Sequence, residues 1–276
     1  MHKPASVGEA AEALRAADRV RIGDDLSTER LDRILEHEAG DLTCIVEAGV
    51  RLSQLDAALA PHGQMLALDP PGDPTIGACV AASLSGPRSH RYGTIRDLVI
   101  GITVVLADGT IASSGGKVVK NVAGYDLAKL FCGSQGRLGL VARVALRLHP
   151  RPRATRTLVA EPDAWPTLRA SQLEPACVDL VGGRLAIRFE HAVDAQLDAA
   201  RALLGGEEDD GAVWEDSARR QAAAKGRAVL SRDNLSQALV ARVRTRVAYV
   251  DHEVPSAWSL LAERVRAALD PEGKLS

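Results

Sequence analysis

The sequence predicts an α+β protein in two parts, a larger domain over residues 1–150 and a smaller α+β domain over residues 151–276. Three observations carry this. Helical and strand periodicities are mixed along the first half, neither dominating. The clearest strand patterns, a hairpin among them, gather towards the end of that half. The stretch "HPRPRATR" (149–156), rich in proline and arginine, then breaks the pattern before strands and helices resume.

In order along the chain, "SVGEAAEALRAA" reads as a helix. Ser6 is placed to cap it, Glu9 follows at capping-box spacing, and Val7, Ala10, Leu14 and Ala17 share a face. "RVRI" (19–22) is a short strand candidate, and "DDLSTERLDRILEHEAGD" is polar and poorly periodic. "LTCIVEAG" (42–49) reads as a strand with Leu42, Cys44, Val46 and Ala48 on one side. "LSQLDAALAPHG" reads as a helix stopped by Pro61 and Gly63. "DLVIGITVVLADGTIASS" predicts a hairpin with a two-residue turn at Asp108-Gly109. "NVAGYDLAKLFCGSQG" predicts a short helix closed by glycine. "LGLVARVALRL" alternates, with Leu140, Ala142, Val144, Leu146 and Leu148 opposite Arg143 and Arg147. Past the break, "RTLVAE" and "RLAIRFEH" are strands, "VDAQLDAARALLG" and "AWSLLAERVRAAL" are helices, and "GGEEDDG" (205–211) is an exposed acidic loop.

With 46% hydrophobic but only 3% aromatic residues, the core must be packed by Ala, Val and Leu. A net charge of -2 and a pI near 6.4 argue against a dominant nucleic-acid or acidic-membrane surface. The four cysteines, Cys44, Cys79, Cys132 and Cys177, form no CxxC pair, as expected of buried thiols in a reducing cytoplasm, and no metal site is expected. The start has no apolar signal core and the chain no long apolar run, so membrane contact is expected only through a partner.

One stretch fits neither core nor solvent loop. "GDPTIGACVAASLSG" (72–86) is almost devoid of large side chains. A second small-residue cluster, "CGSQGRLG" (132–139), lies in the same domain. Such glycines serve as turns and strand bends, or they let backbone N–H groups approach an anionic ligand. Two clusters beside element starts favour a flat, phosphate-bearing cofactor. The dinucleotide fingerprint GxGxxG is absent, and "SSGGKVV" fails the P-loop pattern. Zinc, triad and paired-carboxylate constellations are not found, and no catalytic residue stands out.

The segments "LDPPGDPTIGACVAASLSGPRSHRYGTIRDLVIGITVVLADGT" and "GGKVVKNVAGYDLAKLFCGSQGRLGLVARVALRLHPRPRA" closely resemble the FAD-binding subunits of bacterial glycolate oxidases, flavoproteins of the vanillyl-alcohol-oxidase or PCMH type. The resemblance is continuous over about residues 42–155 and weaker to "AALDPEGKLS". It implies a PCMH-type FAD-binding domain of two α/β subdomains, non-covalent FAD, and oxidation of a small 2-hydroxy acid to the 2-oxo acid. It also implies a larger FAD-binding subunit and an iron–sulfur subunit as partners. Carried onto this chain, it puts Pro71, Gly72, Asp73, Thr75, Ile76, Gly77 and Ala78 at the cofactor. Ser83, Ser85 and Gly86 continue along it, and Tyr92, Gly93 and Asp97 close that wall. Gly133, Ser134, Gly136, Leu138, Gly139 and Leu140 hold the adenine side. Side chains at Gly77 or Gly136 would then take cofactor volume. Arg88, His90, Arg91 and Lys120 fall near the same wall.

The chain departs from the resemblance at one place. The family's glycine-rich pyrophosphate loop is expected after Ile22, but "RVRIGDDLSTERLDRI" runs from Gly23 straight into Asp24 and Asp25. Two carboxylates there would repel phosphate. The alternative left open is a scaffold subunit that holds FAD weakly or not at all.

Overall fold

A computed structural model of the chain describes residues 1–116, 127–231, 237–254 and 260–275. The predicted first helix is α1 (Val7–Ala16), capped by the Ser6 hydroxyl, which accepts from Glu9 N at 3.1 Å. The Glu9 carboxylate reaches back one residue past the cap, to Ala5 N (2.9 Å). "RVRI" forms no strand: Val20 and Ile22 make single bridges with Leu275 and Leu26, because the chain reverses at once through Gly23 N→Leu26 O (2.8 Å). The polar stretch beyond it does hold a strand, β1 (Ile34–Glu38). Among the described residues its only neighbour is β2 (Thr43–Glu47), which makes it an edge strand there, and little of it is buried to leave a periodic signature.

Next come α2 (Leu52–Leu59), a 3-10 turn ended by Gly63 (φ +64°), β3 (Gln64–Met65), and the short helices α3 (Ile76–Ala81), α4 (Ser89–Tyr92) and α5 (Ile95–Leu98). The hairpin is β4 (Val99–Val105) and β5 (Ile111–Gly115). Its turn is longer than predicted. Leu106 N bonds Thr110 O and Gly109 N bonds Leu106 O, both at 2.9 Å, with Gly109 at φ +80° as the extra left-handed residue. After α6 (Leu127–Phe131), β6 (Leu140–Arg147) fills the middle of the first sheet, and β7 (His149–Pro150) pairs with β3. The sheet order is β1-β2-β6-β4-β5, all antiparallel. One face packs on α2, α3, α5 and α6 through Val46, Val104 and Val144. The other packs on α1 through Val105, Leu140 and Ala142.

A second, seven-stranded sheet follows, in the order β11-β8-β10-β9-β13-β14-β12. Its elements along the chain are β8 (Arg156–Ala160), α7 (Trp165–Ala170), β9 (Cys177–Val181), β10 (Arg184–Phe189), α8 (Val193–Leu204), β11 (Glu207–Asp209), α9 (Ala212–Ala223), β12 (Gly226–Val229), β13 (Val240–Arg242), β14 (Val247–Val250) and α10 (Leu260–Leu269). The acidic loop predicted at 205–211 is instead edge strand β11, and its carboxylates blunt an edge that would otherwise template further pairing. Leu158, Val178, Ile187 and Phe189 pack on α7 and α8. The opposite face carries Asp179, Arg188 and Arg242. The chain's last stretch returns to the first sheet: Leu269 packs on its core, Leu275 is buried beside α1, and Val20 N bonds Lys274 O (2.8 Å).

A candidate cofactor cleft

The two small-residue segments meet. Gly133 N donates to Val80 O (2.9 Å) and Gln135 N to Ala81 O (2.8 Å), so the second segment closes the C-terminal turn of α3. The start of α3 is pinned to the end of β2 by Ile76 N→Val50 O (2.8 Å) and Gly77 N→Ala48 O (2.7 Å), and Thr75 Oγ1 caps it by accepting from Ala78 N (3.2 Å). Along these elements runs a cleft of about 480 Å³. One wall is Thr75, Gly77, Ala78, Ala81 and Ala82, and the facing wall is Gln135, Gly136, Gly139 and Val141. Ile22, Gly23, Ser27, Thr28, Glu29 and Arg51 close it, with Met1 at the rim. Gln135 (φ +53°) and Ser83 (φ +49°) hold the left-handed region without being glycine, a strain that clusters at functional sites.

Arg51 is the cation of this lining whose position is set by backbone: its Nη1 donates to Asp73 O at 2.8 Å. Asp73 accepts from Ser53 N (2.9 Å) and Ser53 Oγ (2.7 Å), which hold its carboxyl below the usual range. Glu29 pairs with Lys3. Ser134 Oγ is buried without a hydrogen-bond partner among the described residues, next to the lining residues Gln135 and Gly136. A hydroxyl left in that condition fits a missing ligand atom.

Of the residues expected at the cofactor, Thr75, Gly77, Ala78, Gly136 and Gly139 line the cleft. Ile76, Leu138 and Leu140 are core, and Gly72 and Asp73 are exposed beyond its end. The reason for smallness also differs from the expectation at two positions. A Cβ at Gly77 would stand 2.8 Å from Ala48 Cβ and 2.9 Å from Ala48 O, and one at Gly136 would stand 3.0 Å from Ile22 Cβ. Both glycines therefore first permit close packing of the protein on itself. The cleft's open volume comes instead from Ala78, Ala81 and Ala82, which the sequence reading did not separate from their neighbours. Thr28, Arg51 and Gln135 were missed too, since nothing in their local pattern marks them.

The rest of the expected wall turns towards the second sheet. A Cβ at Gly86 would stand 1.9 Å from Asp69 O, and one at Gly93 would meet Asp97, whose carboxylate caps Thr94 (2.8 Å from its N). Ser83 O and Ser85 O accept from Arg227 and Gln221, both at 2.9 Å. Tyr92 Oη donates to Glu190 Oε2 (2.9 Å), and burial, then Glu190, raise its pKa. Arg88 meets Glu190 (3.2 Å), and Arg188 bridges Glu190 (3.3 Å) and Asp69 (3.4 Å). Deeper, Arg242 faces Asp179 (3.7 Å) and donates to Gln221 Oε1 (2.6 Å). Burial pushes the Asp69 and Asp179 carboxyls up against the pull of these arginines. Arg91 pairs with Glu174 (3.3 Å). Lys120 and the whole of "KNVAGYD" (120–126) lie outside the described residues.

Asp24 and Asp25 do not line the cleft. Asp25 accepts from Arg21 N (2.9 Å), and both carboxylates stand 3.5 Å from the Arg21 guanidinium. Among the described residues no group of three or more His, Cys, Asp or Glu side chains is placed to hold a metal, and no helix is long and apolar enough to cross a membrane.

The fold is that of a PCMH-type FAD-binding α+β domain, and residues 25–115 match the family model described as an FAD binding domain. The resemblance to glycolate oxidase subunits is borne out among curated proteins. The chain is 36% identical over 197 residues to glycolate oxidase subunit GlcE of Escherichia coli (strain K12), covering 68% of this chain and 56% of that one. It is 41% identical over 132 residues to glycolate oxidase subunit GlcD of Bacillus subtilis (strain 168), covering 47% and 28%. To the mitochondrial D-lactate dehydrogenase [cytochrome] 1 of Saccharomyces cerevisiae it is 36% identical over 146 residues, covering 52% and 25%. The chain thus spans between a quarter and just over half of these relatives. A solved structure of alkyldihydroxyacetonephosphate synthase shares the fold, with a TM-score of 0.73 at 14% identity over 99% of this chain and 75% of that one.

Proposed function

We propose that the chain is an FAD-binding subunit of a glycolate oxidase-like complex that oxidises a small 2-hydroxy acid to the 2-oxo acid. The observation that carries this is the meeting of the two small-residue segments on α3, inside a domain of an FAD-binding family. Bound in the cleft, FAD would supply the acceptor for the hydride leaving the carbon that bears the substrate hydroxyl. The protein's part is to hold it. Ala78, Ala81 and Ala82 leave the room, Thr75 and Ser134 offer hydroxyls, and Arg51 offers a charge opposite to phosphate. The relatives named as oxidase subunits support a multi-subunit assembly; a larger FAD-binding subunit and an iron–sulfur subunit are the partners this reading adds.

A scaffold that binds FAD weakly is the second reading. It is favoured by the direct Gly23 N→Leu26 O closure where a phosphate-binding loop was expected. The variant Ala78→Phe separates the two. Ala78 is exposed on α3, so the ring enters the cleft without crowding the core. The first reading expects flavin absorbance after desalting in the wild type, a loss of about tenfold or more in FAD affinity for the variant, and an unchanged fold by circular dichroism. Colourless wild-type protein that takes up no added FAD supports the scaffold.

A further inference from the structure

A second cleft shares no lining residue with the first. It encloses about 430 Å³ between α7, the turn joining β13 to β14, and His90 on α4. Trp165, Leu168 and Leu173 give it an apolar side. Arg169, Arg244 and Arg246 bring positive charge, and its lining holds no Asp or Glu.

One of these cations is fixed by a contact across the pocket. The Arg244 guanidinium donates to the His90 carbonyl and so ties the turn to α4. The His90 ring in turn meets Trp165 edge-on, with centroids 6.5 Å apart. Burial, and then the charge of Arg244, push the His90 pKa down to about 4, so the imidazole adds no charge at neutral pH. Arg246 sits at φ +55°, a conformation that a non-glycine residue holds at a cost. Arg169 and Arg246 have no ion-pair partner among the described residues, whereas Arg88, Arg91, Arg156 and Arg188 each meet a carboxylate. Like charges gathered around one concavity repel, and an anion inside it reverses the sign of that energy.

We propose that this pocket binds a small organic anion through its carboxylate, with the arginines taking the carboxylate and Trp165 covering the ligand's planar or apolar body. The guanidinium fork matches a carboxylate in two parallel hydrogen bonds. The indole supplies rigid apolar area at little entropic cost. A phosphate ion, hydrated on every side, would leave the wall of Trp165, Leu168 and Leu173 without a partner. The inference does not rest on the FAD reading, since the two clefts have separate linings.

The test uses the full chain and benzoate as the probe, with inorganic phosphate in parallel at constant ionic strength, followed by calorimetry and tryptophan fluorescence. Benzoate is expected to bind saturably and to change the fluorescence, and Trp165→Phe to abolish that change. Arg169→Gln with Arg246→Gln should weaken binding by about tenfold or more, because each charge-assisted bond contributes at least a factor of that order. Both side chains are exposed, so the fold should survive. Arg169→Lys, which keeps the charge but not the fork, should fall between. The proposal is overturned by any of three results: no saturable benzoate binding, an unchanged affinity in the double arginine variant, or phosphate binding tighter than benzoate.

Discussion

The cofactor cleft and the seam between the sheets are built on opposite principles. The cleft works by leaving space. Two of its walls are rich in alanine and glycine, from residues 75–82 and 135–141, with Ile22, Thr28 and Arg51 closing it. The seam works by filling space with charge: Asp69, Arg88, Arg188 and Glu190 neutralise one another, with Asp179 and Arg242 beneath. Four of its hydrogen bonds join residues 98 to 136 positions apart. A wall of small residues tolerates new volume until a ligand needs the room. A closed set of buried charges does not tolerate the loss of one member, because the partner left behind is an unpaired charge out of water.

The largest effect should therefore come from the seam. Glu190→Ala takes the carboxylate partner from Arg88 and the Tyr92 hydroxyl and leaves Arg188 with Asp69 alone. A loss on the order of 3 kcal/mol is expected, the low end of the range for breaking a buried pair, since Arg88 keeps some contact with solvent. Urea denaturation measures it, and a loss below about 1 kcal/mol would mean that water already screens the seam.

Gly77→Val comes next and sharpens the contrast inside the cleft itself. The new side chain meets Ala48 before it meets any ligand. Stability should fall by about 1–3 kcal/mol through overpacking, with FAD binding falling alongside. Ala78→Phe, one residue on, should remove FAD binding and leave stability nearly unchanged. Similar outcomes for the two variants would show that α3 is not packed as closely on β2 as its hydrogen bonds require.

A pair at the solvent edge gives a smaller effect and a pH signature. Burial pushes the Glu47 carboxyl up, but the hydrogen bonds and charge of Arg33 outweigh it and leave the pKa lowered. A lowered folded-state pKa adds stability that is present above the unfolded value near 4.5 and is lost as pH falls through the folded one. Glu47→Gln should cost about 1 kcal/mol at pH 7, since Arg33 is largely exposed, and the gap from wild type should close as pH drops below that range. A gap independent of pH would mean that the carboxylate's charge is not what Arg33 holds.

The smallest effect is expected at Asp24 and Asp25. Both are exposed and face Arg21 rather than the cleft. Neutralising them together should tighten FAD by less than about tenfold, and the gain should shrink as salt is raised. A larger gain would place these carboxylates beside the cofactor's phosphates.

What was legible in the sequence follows the same division. Smallness is a local signal, so "GDPTIGACVAASLSG" and "GSQG" were found and do meet on α3. One-sided alternation placed β2 and β6, and the Asp108-Gly109 turn signal placed β4 and β5. Edge strands β1 and β11 were lost because a strand exposed on one side carries polar residues that read as loop. Along the wall expected from Pro71 to Asp97, the carbonyls of Ser83 and Ser85 accept from Arg227 on β12 and Gln221 on α9, contacts that no local pattern announces. At Gly77 and Gly136 the neighbours a Cβ would crowd are Ala48 and Ile22. Spacing shows that a residue must be small; only the fold shows what it makes room for.

Titration of FAD with the purified chain, followed by quenching of flavin fluorescence and by the melting temperature, tests the cleft most directly. Saturable binding to wild type is expected, with a melting temperature that rises with FAD concentration, because a ligand of the native state stabilises it by mass action. Ala78→Phe should abolish both responses while melting at the wild-type temperature without FAD. Flavin fluorescence unchanged by wild type and a melting temperature indifferent to FAD would contradict the assignment of this cleft to the cofactor.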